Sequence, residues 1–147
     1  MEQEHNRQTP VQVEISVQPF RFKLLPMVME LHESQKYMGI EQITMKNLPK
    51  IGYVAVMGGH PIACGFLRRV EGGFAQIDTL ASNAHFGSKI RNDGITTVVA
   101  ALIQEAKDLK LRGIISITRD EGILKRAQSM GFHVVEHKVI ALPLQEF

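Results

Sequence analysis

Three β-rich runs follow one another between Ile51 and Ala81, and this stretch restricts the fold more than any other part of the chain. The runs are Ile51 to Met57, Ile62 to Val70 and Phe74 to Ala81. Gly58-Gly59-His60-Pro61 separates the first two and Glu71-Gly72-Gly73 the last two. Turns this short join antiparallel neighbours, so the spacing predicts a three-stranded meander. A helix pattern follows, with Ile95, Val98, Val99, Leu102, Ala106 and Leu109 on one face at the 3.6-residue period. Gly113 punctuates its end, and Ile114 to Thr118 reads as a short apolar strand. Strand, helix and strand from Phe74 to Thr118 make a crossover, which sets two strands parallel with a right-handed connection.

The flanks complete an α/β order. Residues 1–10 read as a solvated tail ending at Pro10. Val11, Val13, Ile15 and Val17 alternate with polar residues, the pattern of a half-buried strand that Pro19 closes. Leu24, Met27, Val28 and Leu31 share a helical face, and Pro26 fits only in a first turn, so this helix starts near Leu25. Residues 34–50 leave open a loop and a short second helix ending before Pro49, and 82–93 lack apolar period and read as a loop. Gly122 to Met130 is a helix with Ile123, Ala127 and Met130 on one face, closed by Gly131. Phe132 to Leu144 is strand-like, bent near Glu136-His137. The order is β-α-(α)-βββ-α-β-α-β in a single domain over 11–147.

Composition narrows the function classes. A chain of 147 residues with 44% hydrophobic content fits one core. A formal charge of +2 argues neither for a nucleic-acid binder nor for a membrane-surface protein, and neither partner is expected. Cys64 stands alone, so no intramolecular disulfide forms, and a reducing compartment is expected. Met1 to Thr9 lacks the apolar stretch of a secretory signal, and no apolar run approaches the roughly 20 residues that span a bilayer. The cytoplasm is the expected location.

The segment Arg91-Asn92-Asp93-Gly94-Ile95-Thr96 opens the long helix after a strand. Helix N-termini present unpaired N–H groups and positive dipole ends to anions. Gly94 would let backbone approach a phosphate, and Arg91 could add a charged contact. The plainer alternative is an ordinary helix start capped by Asn92 or Asp93.

This segment resembles the acyl-coenzyme A motif of the GCN5-related N-acetyltransferase (GNAT) superfamily, Gln/Arg-x-x-Gly-x-Gly/Ala. Further segments resemble that family in the right order. Val54-Ala55-Val56, Gly58-Gly59 and Ile62-Ala63-Cys64-Gly65-Phe66 look like its second and third strands and their turn. Ile77-Asp78-Thr79-Leu80 looks like its fourth strand, Ile114 to Thr118 like its fifth, and Asp120 to Met130-Gly131-Phe132 like the next helix. The resemblance implies a mixed, mostly antiparallel sheet with helices on both faces and a cofactor lying where the fourth and fifth strands splay apart. It implies acetyl-CoA as acyl donor. Leu80, Ala81 and Ser82 would pair with the pantetheine arm, and backbone N–H groups of Arg91, Asn92, Asp93, Gly94, Ile95 and Thr96 would hold the pyrophosphate. Asp120 stands where a frequent Asn positions the thiol end. Thr96 replaces the motif's Gly or Ala, and Ala127 stands where many members place a Tyr that protonates the leaving thiolate.

Amine acylation needs a base. Asp78 is a candidate on the fourth strand, expected on the same face as Gln76 and Leu80. The alternative is a structurally paired carboxylate. His85, in the expected loop, is a second candidate base, or else an exposed loop histidine. The resemblance makes His32, Glu33 and Tyr37 candidates for the acceptor side; otherwise they form a polar helix end. Cys64 fits a buried small hydrophobe better than a nucleophile. No histidine spacing suits a metal, so none is expected. Three readings stand: N-acetyl transfer from acetyl-CoA to an amine of a small molecule or protein, a non-catalytic module that binds acyl-CoA or a protein partner, and an unrelated α/β binding domain in which the motif match is accidental. Oligomeric state is not legible, and a homodimer stays open.

Overall fold

The computed structural model describes residues 14–35, 48–118 and 121–136, with 140, 142 and 144. A five-stranded sheet runs in the order β1-β2-β3-β4-β5, the same as the chain order. The meander is present: β2 (Ile51–Met57), β3 (His60–Val70) and β4 (Phe74–Ser82) pair antiparallel in sequence. The first turn is tighter than expected, because His60 and Pro61 already belong to β3. The strand β1 (Ser16–Pro19) adds antiparallel to β2 and forms an edge, where Pro19 is tolerated for lack of a needed N–H. It starts later than the alternation suggested, and Val11 and Val13 lie outside the described residues. The short β5 (Gly113–Ile115) pairs parallel with β4 through Phe74, Ala75 and Gln76, as the crossover requires.

Each face of the sheet carries a helix. On one side lies α2 (Ser88–Asp108), whose Ile95, Val98, Val99, Leu102 and Ala106 pack on Ala55, Ala63, Leu67, Ala75 and Ile77. The opposite side holds α1 (Leu25–Ser34), where Val28 and Leu31 pack on Val54, Val56, Cys64, Phe66 and Ala81. Pro26 sits in the first turn of α1, where its missing N–H costs nothing. Burying both faces supplies the main stabilising term, about 25 cal/mol per Å² of apolar surface removed from water. The last helix is α3 (Glu121–Ser129), which has no buried residue. Gly131, at φ +95°, closes it, with the Phe132 N–H donating to the Ala127 carbonyl at 3.0 Å.

Three sequence expectations are corrected. Residues 82–93 are not a loop throughout: α2 begins at Ser88, with Gly87 in extended conformation before it. Ser88-Lys89-Ile90 carry no apolar period, so the helix start was invisible to pattern. The fifth strand is shorter than Ile114 to Thr118, because pairing with β4 stops at Ile115. Residues 132–136 form no strand. No helix of the described residues is long and apolar enough to cross a membrane.

Candidate active site

A break in the register of β4 shapes the site. Cys64 pairs with Ala81 and Phe66 with Asp78, so Gly65 alone faces both Thr79 and Leu80. This is a β-bulge, and it reverses the alternation. Before it Ile77 faces α2; beyond it Leu80 packs toward α2 and Ala81 toward α1. Asp78 and Leu80 therefore lie on opposite faces, which corrects the strand-alternation expectation. Thr79 absorbs the bulge at φ +53°, an outlier for a β-branched residue that costs on the order of 1–3 kcal/mol. Its neighbours fix it there. The Thr79 carbonyl accepts from Cys64 Sγ at 3.5 Å and from the His32 imidazole. Its Oγ1 donates to Asp78 Oδ1 at 2.9 Å.

Beyond Gln76 the strands β4 and β5 part, and a cleft of about 620 Å³ opens along the split. That volume lies within the roughly 300–1,000 Å³ of small-molecule sites. Leu80 and Ser82 of β4, Ser88, Arg91 and Ile95 of α2, Ile117 and Thr118 after β5, and Gln35, Ile123 and Arg126 line it. Among the described residues that line it no carboxylate appears, and the guanidinium groups of Arg91 and Arg126 offer positive charge to an anion. Ser82 organises the inner end: its Oγ accepts from Arg91 Nε at 3.0 Å, and its carbonyl accepts from Gln35 Nε2 at 2.6 Å. Arg126 Nε donates to Asn92 Oδ1, tying α3 to α2.

The structure distributes the sequence candidates unevenly. Leu80, Ser82, Arg91 and Ile95 meet in the cleft. Ala81 is buried under α1, and Asn92 and Asp93 are exposed. Gly94 is buried against β3, where a Cβ would lie 2.5 Å from Ile62 Cγ2; close helix–sheet packing explains it. The Arg91 N–H donates to Gly87 O at 3.1 Å, so residues 91–96 lie inside the helix. The N–H groups that precede the first intrahelical bond belong to Ser88, Lys89 and Ile90. Thr96 is half-buried away from the cleft lining. Asp120 and Tyr37 lie outside the described residues.

Asp78 accepts from Arg68 Nε at 2.6 Å as well as from Thr79. His85 is exposed, its N–H donating to Asn83 Oδ1 at 3.0 Å. His32 is half-buried beside the bulge, and burial lowers its pKa against the opposing effect of its bond to Thr79. Glu33 is exposed. Burial pushes the Cys64 thiol up to about 12, which leaves no thiolate at neutral pH. Among the described residues no group of three His, Cys, Asp or Glu could hold a metal. Sequence reading missed Ser88, Gln35, Ile117, Thr118, Ile123 and Arg126. Of these, Ile123 and Arg126 carried a signal, being one turn apart on a single helical face.

A sheet splayed between its fourth and fifth strands, with helices on both faces, is the acetyltransferase fold. The chain has the fold of the GNAT superfamily. No family model matches the sequence, and no curated protein matches it. Solved structures match over most of the chain. Rv2747 from Mycobacterium tuberculosis, in complex with CoA, has 21% identity and a TM-score of 0.69, covering 86% of this chain and 76% of that one. The aminoglycoside N-acetyltransferase AAC(6')-Iy, in complex with CoA, has 14% identity and a TM-score of 0.65, covering 93% and 99%. N-acetylglutamate synthase from Neisseria gonorrhoeae, complexed with coenzyme A and L-arginine, has 13% identity and a TM-score of 0.65, covering 85% and 28%.

Proposed function

We propose that this chain is an acyl-CoA-dependent N-acyltransferase that moves an acetyl group from acetyl-CoA to an amine of a small molecule or protein. The observation that carries the reading is the cleft in the β4–β5 split, lined by the guanidinium groups of Arg91 and Arg126 and, among the described residues, by no carboxylate. The donor's diphosphate would lie at the start of α2, near the N–H groups of residues 88–90 and the Arg91 guanidinium. The pantetheine arm would run along Leu80, Ala81 and Ser82 toward the bulge. Solved structures of the same fold that hold CoA support the reading.

In the reaction the amine nitrogen attacks the thioester carbonyl, the C–S bond breaks, and the sulfur leaves as thiolate. The amine loses a proton to a base, for which Asp78 is the first proposal and His85 the second. Asp78 already accepts two hydrogen bonds, yet a carboxylate offers about four lone-pair sites. Ala127 cannot protonate the thiolate, so water does so. A thiol with a pKa near the cysteine reference of about 8.5 leaves without a dedicated acid, at a cost of roughly 10²-fold.

Two observations favour a second reading, a GNAT-fold module that binds acyl-CoA or a protein partner without turnover. The carboxylate nearest the bulge is paired to Arg68, and the tyrosine position is alanine. Calorimetry with acetyl-CoA tests the enzyme and the acyl-CoA-binding module at once, since both require binding. Thiol release across a panel of amines and protein acceptors then separates them. Tight binding with no release from any acceptor would replace the enzyme by the module.

A further inference from the structure

Arg91 and Arg126 line the same cleft but are held differently. Arg91 is anchored inward, its Nε on Ser82 at the end of β4. Arg126 approaches from α3, its Nε on the side-chain oxygen of Asn92, the residue after Arg91. Each tether uses Nε alone, and among the described residues the Nη groups of both have no partner. A guanidinium held by Nε presents its remaining donors as a fork that matches a phosphate. Asn92 is a neutral amide, so it orients Arg126 without cancelling its charge, as an Asp there would.

A diphosphate at the start of α2 already has Arg91 and the helix N–H groups. A second oriented guanidinium, on the opposite wall, calls for a second anionic group on the same ligand. Coenzyme A carries one, the phosphomonoester on its ribose 3′ oxygen, close to dianionic at neutral pH like other phosphate monoesters. Accordingly, we infer that Arg126 reads the ribose 3′-phosphate of the donor, so that the cleft selects the 3′-phosphorylated cofactor over its dephosphorylated form. This inference rests on the acyl-CoA reading.

Calorimetry with coenzyme A and 3′-dephospho-coenzyme A, at one ionic strength, tests it on wild type, Arg126→Gln and Arg91→Gln. Wild type is expected to prefer coenzyme A by about tenfold or more. Arg126→Gln loses that preference: coenzyme A affinity falls by far more than dephospho-coenzyme A affinity, and their ratio collapses toward one. Arg91→Gln weakens both ligands alike and keeps their ratio. Asn92→Ala, which unties Arg126 without removing its charge, narrows the ratio partway. Arg126 lies on a helix with no buried residue, so folding is not at risk, and circular dichroism checks this. Equal losses of both ligands in Arg126→Gln would assign Arg126 to the diphosphate and overturn the inference. So would a wild type that binds both ligands equally tightly. A wild type that binds neither ligand would instead remove the acyl-CoA reading beneath it.

Discussion

Thr79 holds a backbone conformation that β-branched residues avoid, and the side chains around it define much of the local chemistry. His32 from α1 and Cys64 from β3 both donate to its carbonyl, and its hydroxyl donates to Asp78. The His32 pKa is lowered from the usual 6.5, chiefly by burial. A depressed folded-state pKa means the unfolded chain takes up the proton first. Its contribution to stability is full above the unfolded pKa and is lost as pH falls from there through the folded value. His32→Gln retains a donor for Thr79 but cannot titrate. Chemical denaturation of both proteins at pH 7 and pH 5 should show wild type losing more stability on acidification than the variant. Identical losses would mean that His32 does not report on folding. Asp78 has a different expected signature. If it is the base, Asp78→Asn lowers kcat by roughly 10²-fold or more while acetyl-CoA affinity, read by calorimetry, stays put. Full activity in that variant would move the proposal to His85.

The long helix α2 is seated by a contact no periodicity announces. Gly94 meets Ile62 of β3 so closely that an alanine Cβ would stand 2.5 Å from Ile62 Cγ2 and 3.3 Å from Ala63 Cβ. Alanine gains about 1 kcal/mol of helix propensity over glycine, but overpacking a fully buried β-branched side chain costs typically 1–3 kcal/mol. Gly94→Ala should therefore be neutral to destabilising by about 2 kcal/mol in urea unfolding, and it shifts α2 rather than blocking phosphate. Gly65→Ala places a Cβ 2.9 Å from Leu80 Cδ1 and 3.0 Å from Val98 Cγ1, opposite the bulge. A strand glycine replaced by alanine recovers backbone entropy much as a helical one does, and the nearest atom here is the far end of a leucine side chain, so this should be the less costly change. Gly65→Ala proving the worse would mean that the bulge, not the helix, is the rigid partner. These glycines mark where sequence reading reached its limit. The meander, the crossover and the two helical faces were legible because apolar spacing records them directly. The bulge was not, because Thr79 and Leu80 fit a regular alternation and only pairing with β3 reveals the extra residue. The early start of α2 was not, because Ser88-Lys89-Ile90 spend no apolar residue on the core. Arg91 was found through its motif, whereas Arg126 needed the third dimension to bring α3 over Asn92.

At the scale of the whole molecule the sheet with α1 and α2 forms one packed body, and α3 is the wall attached least to it. α2 buries Ile95, Val98, Val99, Leu102 and Ala106; α3 buries nothing and is tied by Arg126 to Asn92 and by Met130 and Phe132 against the core. Few buried apolar contacts mean a low local opening free energy, so the amides of 121–129 should exchange faster than those of β2, β3 and α2. The cleft lies between these two parts, with Arg91 on one side and Ile123 and Arg126 on the other. A ligand spanning it adds its binding free energy to the weaker wall. Acetyl-CoA at 100 times its Kd stabilises the native state by about 2.7 kcal/mol, roughly 5–10 °C in Tm for a domain of this size. Hydrogen exchange should locate that gain: slowing concentrated at 115–118 and 121–129, with smaller changes in α2 and almost none in β1 and β2. Protection spread evenly over the sheet, with α3 unchanged, would place the donor elsewhere than between β4 and α3. The same experiment with Arg126→Gln should keep protection at Ser82 and Ser88 but lose part of it across α3, since the guanidinium that links ligand to that helix is gone.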